Sequence, residues 1–173
     1  MQATASGDTM AFNRIVQRHS PGLHALVLYK TGNCRDADDV VQETLWRAWK
    51  HADAWQPGRA QLKTWLYRVA VNLIIDRHRQ TGRRAETDMD QMPDRADDSV
   101  SAERALSDRQ QLARLESVLE TLPDRQKVAI HLSARQEMSN TEIAEVLETT
   151  EGAVEQLLVR ARRRLRDQFR RMR

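Results

Sequence analysis

Residues 139–166 read SNTEIAEVLETTEGAVEQLLVRARRRLR, which predicts a short helix, a tight turn and a longer helix ending in a dense row of arginines. Ser139 and Glu142 form an S-x-x-E capping box, in which each side chain satisfies a free amide at the helix start. Ile143, Ala144 and Leu147 give the first helix a narrow apolar face. Thr149 and Thr150 interrupt the pattern, and either hydroxyl can cap a new helix whose first turn carries Glu151, a charge the helix dipole favours there. Val154, Leu157, Leu158, Ala161 and Leu165 recur at helical spacing, so one side of the second helix is core. Its other side carries Glu155, Gln156, Val159, Arg160, Arg162, Arg163 and Arg166. Side chains near the start of such a helix reach base edges in the major groove, and arginines further along suit phosphates. A solvated basic face is the plainer explanation of an isolated Arg-rich helix. The capped helix in front of it weighs toward a DNA-reading helix-turn-helix.

The 173 residues allow one domain or two small ones, and a formal net charge of +3 hides strong segregation along the chain. Arginine crowds the last twenty residues and the stretch 77–84, whereas 86–108 is mostly acidic. Two basic patches separated by an acidic spacer suggest two contacts with one polyanion. The single cysteine, Cys34, excludes an internal disulfide and a Cys-rich zinc site. It reads as an incidental thiol beside a Gly32-Asn33 turn. The histidines at 19, 24, 51, 78 and 131 fall in no ligand spacing, and neither a metal nor a cofactor is expected. No apolar stretch approaches the roughly 20 residues that span a membrane, and no signal segment opens the chain. The expected location is the cytoplasm, without membrane insertion.

Helical pattern runs through nearly the whole sequence. Residues 8–30 carry it with a break expected at Ser20-Pro21-Gly22, dividing two helices. Residues 36–49 (DADDVVQETLWRAW) predict a third helix, acidic in its first turn, with Val41, Leu45, Ala48 and Trp49 as buried stripe. Asp39, Gln42, Glu43 and Trp46 share another face. Residues 55–59 (WQPGR) read as a loop by their Pro-Gly pair. Residues 62–80 (LKTWLYRVAVNLIIDRHRQ) form the longest helical pattern, with Leu62, Trp65, Leu66, Val69 and Leu73 toward a core. Thr64, Arg68, Asn72 and Asp76 make a polar row at four-residue steps, with Arg79 beyond. Residues 83–100 are too polar to bury anything and read as a flexible acidic linker. Pattern resumes near Ser101 and runs to Leu122, where Pro123-Asp124 opens another helix reaching about Arg135. The fold class expected is all-α: two small helical domains on a flexible linker, the second containing the helix-turn-helix.

The face Asp39, Gln42, Glu43 and Trp46 suits a protein partner better than nucleic acid, because phosphates repel its carboxylates; a solvated acidic face is the alternative. The 62–80 helix has the opposite character. Asn72 can bond a base edge, the arginines can bind phosphate, and Trp55 and Tyr67 offer surfaces for stacking unpaired bases. Trp65 fits plain core, and a structural role is the rival for Asn72. Asp36, Asp38 and Asp39 are crowded, but successive carboxylates on one helix point in different directions and make a poor cation site.

DADDVVQETLWRAW, LKTWLYRVAVNLIIDRHR, LPDRQKVAIHL and SNTEIAEVLETTEGAVEQLLVRARRRL, in that order, closely resemble the extracytoplasmic function group of bacterial sigma factors. The resemblance covers nearly the whole chain. It implies a non-enzymatic subunit that binds core RNA polymerase, directs it to promoters and helps melt them. Residues 1–82 then resemble sigma region 2 and 101–173 region 4. The 36–49 helix resembles the segment docking on the clamp helices of the largest polymerase subunit, with Asp39, Gln42, Glu43 and Trp46 at contact positions; the flap region is the second implied polymerase contact. The 62–80 helix resembles the reader of the -10 element, where a base of the single strand is flipped into a pocket that repays its unstacking. Trp55 and Asn72 would line that pocket, Arg68, Arg77 and Arg79 would hold backbone, and Asp76 belongs to the same surface. The acidic linker resembles one that threads toward the polymerase channels; nucleic-acid mimicry and a soluble spacer explain its charge equally well.

Glu155, Gln156, Val159, Arg160 and Arg163 fall where the family reads the -35 element as duplex DNA. The usual run there is close to G-T-V-K/R-S-R, and this chain has Gly152-Ala153-Val154-Glu155-Gln156-Leu157. Glu155 can accept from cytosine N4 and Gln156 can pair with adenine, which would change the preferred sequence. Alternatively, Glu155 pairs within the helix with Arg162 or a neighbour. The resemblance also implies control by a separate anti-sigma protein. The rival from another class is a stand-alone helix-turn-helix regulator, which leaves the 36–49 helix without work. A nucleic-acid enzyme is a distant third, since no nucleophile with base, metal cluster or Gly-rich phosphate loop is present.

Overall fold

The structure is a computed structural model and describes residues 1–55, 61–82, 117–119 and 121–171. All regular structure within these residues is helical: α1 (Gln2–Ala5), α2 (Thr9–Thr31), α3 (Cys34–Lys50), α4 (Leu62–Gly82), α5 (Asp124–Ala134), α6 (Asn140–Val146) and α7 (Glu151–Arg171). The 83–100 linker, the Pro57-Gly58 pair and most of the helix expected before Leu122 lie outside the described residues.

Helix α2 corrects the sequence reading, for Thr9–Thr31 is one helix with Pro21 inside it. A proline lacks the amide that would bond the carbonyl four residues back. Here that carbonyl belongs to exposed Gln17, and Pro21 itself is exposed, so water can take the freed group. Phe12, Ile15 and Val16 before the proline and buried Leu23, Leu26 and Val27 after it all join one core. Packing on both sides outweighs the local break.

Asp8 caps α2 by accepting from Ala11 N at 3.0 Å. Gly32 ends the helix in the left-handed conformation, φ 67°, which glycine adopts without strain. Asn33 then caps α3, its Oδ1 accepting from Arg35 N at 2.9 Å and Asp36 N at 3.3 Å. The expected turn therefore starts α3 at Cys34, two residues before the acidic run. Its buried stripe holds Val41, Leu45 and Ala48 as expected, together with Ala37, Val40 and Thr44. Trp49 does not belong to it: the ring is 38% exposed, lying edge-on against Phe12 at 5.0 Å between centroids.

Helix α4 is buried on more than its expected face. Leu66 is fully buried, but so are Tyr67 and Ala70, with Val71, Ile74 and Thr64 nearly so, while Leu62, Trp65 and Leu73 are only partly covered and Val69 is half-buried. The cause is a second neighbour. Helices α2 and α3 pack one side of α4, and α6 packs another.

The second unit builds the helix-turn-helix on α5. Ser139 N donates to Glu142 Oε2 at 2.8 Å and Glu142 N to Ser139 Oγ at 3.2 Å, so both halves of the capping box form. Arg125 on α5 donates to the Leu147 carbonyl at 2.8 Å, satisfying an acceptor that the end of α6 leaves open. Thr150 Oγ1 accepts from Ala153 N at 3.2 Å and starts α7. Val154, Leu158 and Ala161 are buried, with Leu157 and Leu165 half-buried. Burying side chains of this size contributes about 1.5–3 kcal/mol each, which is what fixes a seven-residue α6 that is too short to hold by itself.

The two units pack together, α4 against α6 and α2 against α5. One buried cluster continues from Leu23 and Val40 through Leu66 and Tyr67 to Leu132, Ile143 and Val154.

Candidate functional site

Three surfaces carry the residues singled out from the sequence, and the fold treats them differently. On α3, Asp39, Gln42 and Trp46 are exposed and Glu43 is half-buried, all on the side away from the core. Glu43 Oε1 accepts from Arg47 Nε at 2.7 Å, and Lys50 Nζ sits 4.9 Å from the centre of the Trp46 ring. The surface is thus mixed rather than plainly acidic, with 52% of Trp46 open to contact. The aspartates do not converge on a cation. Asp38 faces His24 at 3.2 Å, whereas Asp36 and Asp39 lie 3.4 and 3.5 Å from Arg77 Nη1. Among the described residues no group of three or more acidic, His or Cys side chains could hold a metal ion.

On α7 the separation is clean. Glu155, Gln156, Val159, Arg160 and Arg163 are all exposed, opposite the buried stripe. Glu155 has no ion pair among the described residues, so the intrahelical alternative with Arg162 gains no support. Arg163 stands 3.9 Å from Asp167, a loose contact between exposed groups that is worth little.

On α4 the face expected to meet the -10 element is partly covered. Trp55 and Trp65 meet edge to face, 6.0 Å between centroids, and with Arg68 they line a cleft of about 980 Å³ whose other wall is α6 and the turn after it. Trp65 packs against the core as expected and also lines this cleft. Glu145, Glu148 and Glu151 line the same cleft as Arg68. Asn72 Nδ2 donates to Glu148 Oε1 at 3.3 Å, so Asn72 has the structural contact weighed against its reading role. Tyr67 is not available for stacking: it is buried, and its hydroxyl donates to Gln136 Oε1 at 2.6 Å. Burial also pushes that phenol well above the usual range. Arg77, expected on DNA backbone, contacts Asp36 and Asp39 on α3. Asp76 and Arg79 are exposed.

The contacts between units are what the sequence reading did not anticipate. Lys63 Nζ donates to the Gln136 carbonyl at 2.5 Å, and Lys30, at the end of α2, pairs with Asp124 at the start of α5 at 2.5 Å. The Lys30 ammonium holds the Asp124 carboxyl below its usual range. Tyr29 and His131 stack at 5.2 Å across the same junction. Desolvation, reinforced by Arg135, lowers His131 to about 4, and burial raises Tyr29 to about 12. No local signal marks these residues, since each partner lies on a distant stretch of chain.

Comparison with known proteins decides what the surfaces belong to. Residues 15–84 match the Sigma-70 region 2 model and 112–165 the Sigma-70 region 4 model. The chain is 31% identical over 175 residues to the ECF RNA polymerase sigma factor SigW of Bacillus subtilis, covering 95% of this chain and 91% of that one. The chain belongs to the ECF group of RNA polymerase sigma factors. As an ECF sigma factor it is a non-enzymatic subunit that binds core RNA polymerase and promoter DNA and directs initiation. That removes the stand-alone regulator as a rival. It is 32% identical to SigE of Mycolicibacterium smegmatis, spanning 94% of this chain and 64% of that protein. It is 34% identical to CnrH of Cupriavidus metallidurans, spanning 93% and 87%. The solved structure of CnrH in complex with the cytosolic domain of CnrY superposes at a TM-score of 0.70, with 31% identity over 95% of this chain and 90% of that one. The sigma factor RpoE of Bartonella quintana, solved with the anti-sigma factor NepR, shares the fold at a TM-score of 0.75 and 23% identity. No helix among the described residues of this ECF sigma factor is long and apolar enough to cross a membrane.

Proposed function

We propose that this sigma factor divides its work among the three surfaces. The α3 face of Asp39, Gln42, Glu43 and Trp46 docks on the clamp helices of the largest polymerase subunit, and the region 4 unit also meets the flap. Trp55, Arg68, Asn72, Asp76, Arg77 and Arg79 handle the single-stranded -10 element; Glu155, Gln156, Val159, Arg160 and Arg163 read the -35 duplex. The observation that carries this reading is the side-by-side separation on α3 and α7, where every named residue faces away from a continuous buried stripe. Its place of work is the cytoplasm, where polymerase and promoter meet. A separate anti-sigma protein holds it in reserve, as CnrY is found in complex with CnrH.

Reconstitution tests the reading. With core enzyme and no other sigma subunit, the chain should start transcription at specific sites. Asp39→Ala with Trp46→Ala should abolish co-purification with core. Glu155→Arg should reorder the preferred -35 sequences; an unchanged ranking removes base reading by Glu155. Recovery of the chain from its own cells free of any second regulatory protein, at full activity, overturns the anti-sigma part.

A further inference from the structure

The exposed side of α7 is charged or polar along most of its length, and Val159 breaks that pattern. It is 52% exposed beside Leu158 at 3%, and Glu155, Gln156, Arg160 and Arg163 around it are exposed as well. Phe169, the other large apolar residue left open on α7, follows half-buried Leu165 by one turn and so continues the core side. Val159 continues nothing. The helix does not need it either, because a side chain branched at Cβ is a weaker helix former than the arginines nearby. What the branch supplies is stiffness: one χ1 rotamer dominates for valine in a helix, so both methyls are held in place and lose little freedom when something packs on them.

Gly152 lies two turns earlier on the same side of the helix. A Cβ there would have nothing within 4 Å, and the residue is not in the left-handed conformation. Nothing inside the protein therefore calls for glycine, which weakens a helix relative to alanine. The open space does allow a foreign backbone to come close to the start of α7. A valine is short, and it reaches a base edge only where the helix sits deep in the groove. Glu155 and Val159 are one turn apart, ~6 Å along the axis, or about two base steps of about 3.4 Å each, so both meet the same stretch of duplex. Arg160 and Arg163 beside them match its phosphates. Among the groups that base pairs present in the major groove, the C5-methyl of thymine is the apolar one.

We propose that Val159 reads the C5-methyl group of one thymine in the -35 element, with Gly152 as the gap that lets it reach. The proposal rests on the assignment of α7 as the -35 reader, and it adds a group that hydrogen bonding by Glu155 and Gln156 does not sense. Deoxyuridine tests it, because it pairs as thymine does and lacks only that methyl. Holoenzyme assembled from the full chain and core polymerase is bound to a duplex promoter fragment whose -35 thymines, on either strand, are replaced one at a time by deoxyuridine. One replacement should weaken binding about fourfold, the change that losing one methyl from an apolar contact produces. Val159→Ala should bind the unmodified fragment more weakly by a similar factor and lose nothing further with deoxyuridine at that position. Val159→Ile keeps the branch and the apolar tip and should keep the penalty. Gly152→Leu, which puts a good helix former into open space, should remove the penalty by holding α7 off the groove; a penalty retained there overturns the part given to Gly152. Holoenzyme that distinguishes -35 sequences but tolerates deoxyuridine at every position overturns the reading by Val159. So does a deoxyuridine penalty that Val159→Ala leaves unchanged. Holoenzyme indifferent to scrambling of the whole -35 element would instead remove the assignment of α7 itself.

Discussion

Helices α4 and α7 are the same length, 21 residues each, and both carry basic residues assigned to DNA, but they meet the rest of the protein in opposite ways. Helix α7 packs along one stripe, and Glu155, Gln156, Val159, Arg160 and Arg163 opposite that stripe are exposed. Helix α4 is packed from two sides, so residues that would touch a base also touch the other half of the protein. On α7, stability and reading are separable. On α4 the two meet at Asn72, which contacts Glu148 in the turn after α6.

The sharpest way to break the comparison is a neighbouring pair on α7. Leu158 is 3% exposed and Val159 is 52% exposed, so Leu158→Ala should cost about 2–5 kcal/mol and Val159→Ala less than about 0.5 kcal/mol. Denaturant unfolding of both variants measures it. Similar losses would show that the reading side of α7 is also packed.

Acid addresses the junction beside α4. His131 is buried against Tyr29, neutral in the folded protein, with its value lowered from 6.5 to about 4. Between those values the unfolded chain binds the extra proton, so stability is full above about pH 6.5 and falls as pH drops toward 4. The loss should reach at most about 3 kcal/mol, and His131→Phe should flatten the dependence in unfolding experiments across that window. Protonation of Asp124 removes its pairing with Lys30 in the same direction at lower pH, because that carboxyl is held below its usual range.

The smallest effect belongs to the element that serves both helices. Ser139→Ala should cost about 1 kcal/mol by opening the capping box of α6. Because α6 supports α7 and covers α4, the loss should appear both in thermal unfolding and in amide exchange along α4. Protection of α4 left unchanged would mean that α6 does not hold that face.

The helix-turn-helix was legible in detail. The Ser139–Glu142 box, the threonine cap before α7 and the split between Leu158 and Val159 all operate within a few residues, where helical periodicity and free amides set the outcome. The Gly32-Asn33 turn was legible for the same reason. Less was readable on α3 and α4: Trp49 lies in phase with the stripe but at the rim, in an edge-to-face contact with Phe12, and Tyr67 lies outside the expected stripe yet is buried, its hydroxyl bonded to Gln136.

By itself, then, the sequence determined where α6 and α7 begin, which side of α7 is core, and the membership of the chain in the ECF sigma factors. Tertiary structure alone decided that α2 runs through Pro21, that Arg77 turns to Asp36 and Asp39, and that Tyr67 and Asn72 face Gln136 and Glu148, partners 69 and 76 residues away. Local signals fix helices because a helix closes its hydrogen bonds within four residues. Which surfaces remain open depends on how those helices meet, and that contact leaves no periodic trace in the chain.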